Sequence, residues 1–311
     1  MEKFLIIIIN PKSGNGRGEK IWKKVKADLQ KRNVPFRSFF TQKQGHAKEL
    51  AQQMVHMHHE NTRGIIAVGG DGTIHEVVNG MRNYMHIPIG FISAGSGNDF
   101  ARGFKLPKSP GEALNHILGF KMSRSKQYDL GELRPGLRRH KSNYFANSVG
   151  IGFDGEVAKR TNEANYKDLL NKFGLGSLSY IFTLLKLSMT YEPYALKLKV
   201  DGKEYAFEDV WLVATANIKY YGGGMMICPD ARPDDGQLDV CVVHNLSRVK
   251  LFFLFGTVFF GLHTKMKEVT MLRGKEITVE SDVPVTMHAD GEVAGTTPVS
   301  LHVLPKEFTV I

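Results

Sequence analysis

Three glycine-rich turns within the first hundred or so residues carry groups suited to phosphate chemistry. The most informative lies in residues 64–80, GIIAVGGDGTIHEVVNG. There a short apolar run, Ile65 to Val68, reads as a buried strand, and Ile74, Val77, Val78 and Met81 share one face of a following helix. Gly69 and Gly70 let the backbone turn sharply and let a ligand approach peptide N–H groups closely. The helix start adds donors without intrahelical partners and the positive end of the dipole, a natural seat for phosphate. Asp71 stands where an anion should bind, which makes chemical sense when a metal ion or a transferable proton lies between the two. The combination points to phosphoryl transfer.

The turn Asn10 to Gly18, NPKSGNGRG, is not a Walker A loop, because no Gly-Lys-Ser/Thr occurs near it, and it is not a G-x-G-x-x-G fingerprint. Lys12, Ser13 and Arg17 nevertheless offer donors to phosphate. The third turn, Ala94 to Arg102, again places small residues after a strand and before a helix. One such loop is weak evidence, but three at the same edge of one sheet are strong, since topology brings their ends together. Near the other end of the chain, Asp290-Gly291-Glu292 has the composition of a two-residue hairpin turn.

The elements that must position these turns alternate over the first ~130 residues. Strands are expected at 4–9, 35–40, 64–68, 87–92 and near 127–133, and helices at about 17–32, 45–59, 73–83 and 110–119. The last helix has Ser109 as N-cap, Pro110 in first position and Glu112 closing a capping box. Such alternation implies an α/β domain, a parallel sheet with helices on both faces. Beyond residue 131 the segments 143–151, 194–201, 204–216, 237–243, 275–280, 284–289 and 299–304 are short, β-rich and separated by turn residues, which predicts a β-rich sandwich or barrel. Two helices, near 177–190 and 247–263, interrupt it. The expected division is an α/β domain, 1–133, and a β-rich sandwich domain, 134–311, with the final segment free to pack back on the first.

The chain has 311 residues, 42% of them hydrophobic and 23% charged, ordinary values for a globular protein. Its two cysteines, Cys228 and Cys241, fit neither metal-ligand spacing nor a secreted disulfide framework, so a cytoplasmic setting is expected. The apolar run in MEKFLIIIINPKSG is too short for a signal peptide and suits a buried first strand. Leu251 to Leu262 is too short to span a bilayer and reads either as a buried helix or as a membrane-docking segment. The net charge of +10 resides in residues 1–141, while 142–311 hold slightly more acidic than basic residues. A basic half suits a nucleotide, an anionic membrane or a nucleic acid. The last is disfavoured, because the basic residues accompany phosphate loops and no stacking-aromatic motif is present. His56, His58 and His59 lie on a helix without an acidic partner set and read as a solvated face.

NPKSGNGRG, GGDGTIHEVVNG and GSGNDFAR together resemble the catalytic domain of the diacylglycerol kinase family, which includes sphingosine and ceramide kinases. Tyr128-Asp129-Leu130-Gly131, Asn147 to Asp154, Gly222-Gly223-Gly224, Asp234-Asp235-Gly236 and Asp290-Gly291-Glu292 follow in family order, so the resemblance covers nearly the whole chain. It implies an N-terminal fold like that of NAD kinase and phosphofructokinase, and an ATP-dependent lipid kinase of phospholipid biosynthesis acting in the cleft between two domains. Diacylglycerol, giving phosphatidic acid, is the leading substrate; another lipid alcohol, a soluble substrate or a non-catalytic scaffold are the alternatives. By that resemblance Asn10, Pro11, Lys12, Ser13, Gly14, Thr41, Gly70, Asp71, Gly72, Thr73, Ile74, His75, Glu76 and Ser96 bind the nucleotide. Glu292 would take the proton from the lipid hydroxyl, and Asp71, Asp129 and Asp290 would surround a catalytic Mg²⁺. A structural Mg²⁺ would be held by the Asp235 side chain and the Arg232 and Gln237 carbonyls. The partners implied are a lipid alcohol and an anionic membrane surface bound peripherally; a homodimer is allowed.

Overall fold

The computed structural model describes residues 3–122, 125–136, 142–163 and 187–311. The chain forms two compact units, one of Met1–Leu130, Pro233–Asp235 and Leu304–Ile311, the other of Gly131–Arg232 and Gly236–Val303.

In the first unit the order is β1 (Phe4–Ile9), α1 (Ser13–Lys31), β2 (Phe36–Phe40), α2 (His46–His58), β3 (Thr62–Gly69), α3 (Asp71–Gly80), β4 (Ile89–Ser93), α4 (Asp99–Gly103) and α5 (Pro110–Gly119). The strands are parallel in the order β2-β1-β3-β4. A sheet covered on both faces needs continuously apolar strands, and β1 shows how they are used. Leu5, Ile7 and Ile9 pack with Trp22, Val25 and Leu29 of α1 and with Leu114 and Ile117 of α5. Ile6 and Ile8 are buried on the opposite face, where α2 and α3 lie against β1 and β3. The expected cap of α5 forms, with Ser109 Oγ accepting from the Glu112 N–H at 3.2 Å. Val310 bridges Ile89 in parallel, and buried Phe308 packs on Phe104 with ring centroids 5.6 Å apart, so the chain end belongs to this unit.

The strand expected near 127–133 exists, as β5 (Gln127–Pro135), but it is not a parallel strand. It pairs antiparallel with β6 (Asn143–Phe145), Gly131 opposite Phe145 and Leu133 opposite Asn143, and so belongs to the antiparallel pattern of the second half of the chain. The second unit continues with β7 (Ser148–Gly152), α6 (Phe153–Glu163), β8 (Tyr194–Val200), β9 (Lys203–Ala216), β10 (Leu238–His244), α7 (Arg248–Val258), β11 (Val269–Gly274), β12 (Glu276–Ser281), β13 (Thr286–Ala289), β14 (Glu292–Thr296) and β15 (Val299–Thr309). Its pairings are antiparallel, as the β-rich pattern predicts. Strand β10 serves two cores in alternation: Leu238, Val240 and Val242 face one, Cys241 and Val243 the other. The expected helix near 177–190 falls largely outside the described residues, of which 187–190 are helical.

Both thiols are fully buried. Burial, reinforced by the negative charge of Asp154, pushes the Cys241 thiol up to about 12, and burial also raises Cys228. A thiolate is the reactive form, so neither cysteine should react with an aromatic disulfide reagent at pH 8 in the native protein, and both should react on unfolding.

Candidate active site

In the first unit the turns after β1, β3 and β4 meet at the C-terminal edge of the parallel sheet, the ligand edge of such folds. Residues Gly14, Asn15 and Gly16 have φ of 58°, 57° and 83°, so regular helix in α1 begins only after them, near the expected residue 17. A Cβ on Gly14 would lie 2.0 Å from the Ala94 carbonyl oxygen, and one on Gly95 would lie 2.8 Å from Gly70 Cα. The backbones of the three turns therefore touch without intervening side chains. Ser13 Oγ sits 3.5 Å from the Cβ position of Gly70. Asn10 stitches the first two turns, its Nδ2 donating to Thr73 Oγ1 at 3.2 Å and its Oδ1 accepting from the Lys12 N–H at 3.1 Å. Pro11 accepts from the Glu19 N–H at 3.3 Å, Lys12 is exposed, and Thr41 is held beside the end of β1 by its N–H to the Ile9 carbonyl at 2.8 Å.

Three residues of the second turn have occupations that sequence does not reveal. Asp71 Oδ1 accepts from the Phe100 N–H at 3.0 Å, which ties the start of α3 to α4. Glu76 spends both carboxylate oxygens at the start of α2, on the N–H groups of Gly45 at 2.7 Å and Ala47 at 2.9 Å. Ile74 is buried in the core, leaving only its backbone for a ligand, and that N–H donates to the Gly70 carbonyl at 3.2 Å. His75 lies 3.4 Å from Asn79 Nδ2, Gly72 is half-buried in the first turn of α3, and Ser96 is exposed in the third loop. Asp129 is buried on β5, where its Oδ1 accepts from the Lys306 N–H at 2.8 Å and its own N–H donates to the Pro233 carbonyl at 2.7 Å.

In the second unit Asp290 and Gly291 have φ of 50° and 89° and form the two-residue turn joining β13 to β14, as composition predicts. Glu292, the first residue of β14, is half-buried. The Asp290 carboxylate accepts from three backbone N–H groups, Ala146 at 3.0 Å, Asn147 at 2.9 Å and Ser148 at 3.0 Å. A carboxylate so engaged anchors the hairpin to the turn between β6 and β7.

Sequence reading missed the support beneath this hairpin. The Gly291 N–H can only donate, so His288 Nδ1 accepts it, at 3.2 Å, and the ring proton sits on Nε2, which donates to Asp154 Oδ2 at 3.3 Å. Both residues are nine-tenths buried or more, and Asp154 Oδ1 has no hydrogen-bond partner among the described residues. The only signal was Asp154's place at the end of the Asn147 motif; no spacing links it to His288, 134 residues away.

Among the described residues no cluster of three His, Cys, Asp or Glu side chains could hold a metal. The Asp235 carboxylate with the Arg232 and Gln237 carbonyls is a different kind of set. All its donors are oxygens, the ligand type a hard cation like Mg²⁺ prefers; Arg232 is exposed and Asp235 and Gln237 are half-buried in the irregular stretch before β10.

Residues 4–133 match the family described as diacylglycerol kinase catalytic domain, and residues 147–311 match the YegS C-terminal NAD kinase beta sandwich-like domain. The Bacillus subtilis (strain 168) protein named "Putative lipid kinase YtlR" is 36% identical over 97% of this chain and 97% of its own length. A Mycobacterium tuberculosis (strain ATCC 25618 / H37Rv) protein named diacylglycerol kinase is 30% identical over 98% of this chain and 93% of its own. The crystal structure of a "putative diacylglycerol kinase" from Bacillus anthracis str. Sterne superposes with a TM-score of 0.78 at 27% identity, covering 100% of this chain and 95% of that one. No helix among the described residues is long and apolar enough to cross a membrane. The converging glycine-rich turns, the Asp-Gly-Glu hairpin and these similarities agree across the full length: the chain belongs to the diacylglycerol kinase catalytic-domain family.

Proposed function

We propose that this protein transfers the γ-phosphate of ATP to the hydroxyl of a lipid alcohol, diacylglycerol before others, giving phosphatidic acid. The observation that carries the reading is the meeting of three glycine-rich turns at one sheet edge in a kinase family member. ATP with Mg²⁺ supplies the phosphoryl group and the cation that neutralises its oxygens. The turn Asn10 to Gly14 and the Gly70 turn bind the phosphates through backbone N–H groups, with Ser13 and Ser96 hydroxyls beside them. Asp71 and Asp129 supply negative charge for the cation, and Asp235 with the Arg232 and Gln237 carbonyls would hold a second, structural one. Glu292 takes the proton from the acceptor hydroxyl, which is too weak a nucleophile at neutral pH without such help.

Asp290 enters this reading as a positioning residue, since its oxygens accept from Ala146, Asn147 and Ser148. His288, backed by Asp154, holds the Gly291 N–H and so orients the turn that presents Glu292. Replacing His288 by leucine removes that acceptor and should lower kcat by roughly tenfold with KM for ATP unchanged. Asparagine at the same position, whose Oδ1 stands in for Nδ1, should recover part of the loss, as steady-state kinetics will show.

The substrate class is tested by phosphate transfer from labelled ATP to a lipid panel and to soluble alcohols including NAD. Label in phosphatidic acid is the expected result; label confined to soluble products would refute a lipid acceptor.

A further inference from the structure

Helix α7 is apolar on two sides. At helical spacing Leu251, Leu254 and Val258 fall on one face and are buried in the core of the second unit. Val249, Phe252 and Phe253 fall on the other and are exposed, Phe253 by 71%. Phe259, Phe260 and Leu262 prolong the exposed surface, with Phe260 73% exposed. A surface helix ordinarily turns polar residues outward, so a contiguous apolar face of this extent marks an interaction site. The platform beneath it is well anchored, because His263 Nε2 donates to the Ile227 carbonyl at 2.9 Å just beyond the aromatic residues.

Charge decides what the face meets. No Asp or Glu occurs from Val240 to Lys267, whereas Arg248 and Lys250 stand at one end of the apolar run and Lys265 and Lys267 at the other. Lys250 pairs with the buried Glu268, and Arg248 donates to the Ser188 carbonyl; Lys265 and Lys267 are exposed. This basic rim occurs in a part of the chain, 142–311, that is otherwise slightly acidic. A second copy of the chain would set one basic rim against another, at an electrostatic cost. An anionic bilayer satisfies both features, accepting aromatic rings at the acyl boundary and basic groups among its headgroups.

We propose that the face of Val249, Phe252, Phe253, Phe259, Phe260 and Leu262 is the surface on which this protein docks to an anionic lipid bilayer. The inference deepens the lipid-kinase reading and rests on it only for the need to reach a bilayer.

The test uses the full chain with phosphatidylglycerol-containing vesicles and with pure phosphatidylcholine vesicles. Wild type should sediment with the anionic vesicles, and the double variant F253E/F260E should partition at least about tenfold more weakly. The same variant should phosphorylate detergent-dispersed diacylglycerol at the wild-type rate. Replacing Lys265 and Lys267 by alanine should weaken vesicle binding and flatten its salt dependence. Undiminished vesicle binding by F253E/F260E overturns the proposal, as does loss of self-association in that variant with vesicle binding intact, which would assign the face to a second copy. Phosphorylation in detergent without vesicle binding by wild type overturns the docking face alone. Vesicle binding lost on F253E/F260E substitution, with no lipid phosphorylated in detergent, supports the face and counts against the kinase reading.

Discussion

Replacing Glu292 by glutamine is expected to lower kcat for lipid phosphorylation by roughly 10²–10⁴-fold. The amide keeps the shape of the side chain but cannot accept the proton of the acceptor hydroxyl. Ala289 and Glu292 remain paired across the two-residue turn, and the Asp290 carboxylate still accepts its three N–H groups, so the melting temperature should not move. KM for ATP should also stay near its wild-type value, since the residues proposed to bind nucleotide belong to other segments of the chain. A loss in kcat without a change in KM is what removal of a transition-state contribution looks like. Full turnover by the variant would show that another group takes the proton.

Replacing Gly14 by alanine should instead impair both ATP binding and stability. At φ 58° an L side chain costs about 1–2 kcal/mol from conformation alone. The added Cβ would also stand 2.0 Å from the Ala94 carbonyl oxygen, which is backbone and cannot rotate away. Forcing the turns after β1 and β4 apart adds about 1–3 kcal/mol and opens the proposed phosphate seat. KM for ATP should rise by about tenfold or more, a loss equivalent to at least about 1.4 kcal/mol of binding. Gly16 provides the control: its φ is 83°, yet nothing lies within 4 Å of its Cβ position. Gly16→Ala should therefore show the conformational cost in a thermal melt with a much smaller effect on KM. Equal effects at both positions would mean that contact between the turns is immaterial to nucleotide binding.

Much of the fold can be read in the residues themselves. Apolar runs such as Leu5 to Ile9 and Ile65 to Val68 announce strands buried on both faces, and Ser109-Pro110 with Glu112 marks the start of α5. Elements with little apolar content are not announced. Helix α6 buries Phe153 and Val157 and carries few other apolar residues, and β14, Glu-Val-Ala-Gly-Thr, is half-exposed and contains a glycine. The segment 143–151 reads as one strand yet is two, because the Asp290 carboxylate draws the N–H groups of Ala146, Asn147 and Ser148 into a turn between β6 and β7.

The same division holds at the site. Local sequence determines the three glycine-rich turns and the Asp290-Gly291 hairpin, because glycine spacing and strand-to-helix punctuation are properties of neighbouring residues. Only the tertiary structure decides what each acidic residue touches. It places Glu76 on the start of α2, Asp71 on Phe100, Asp129 on Lys306, and His288 between Gly291 and Asp154. These contacts join residues distant in the chain, so no period or motif reports them. The outward aromatic face of α7 belongs with them, since Leu251 to Leu262 is apolar throughout and burial alone separates the residues that hold the core from those that face outward.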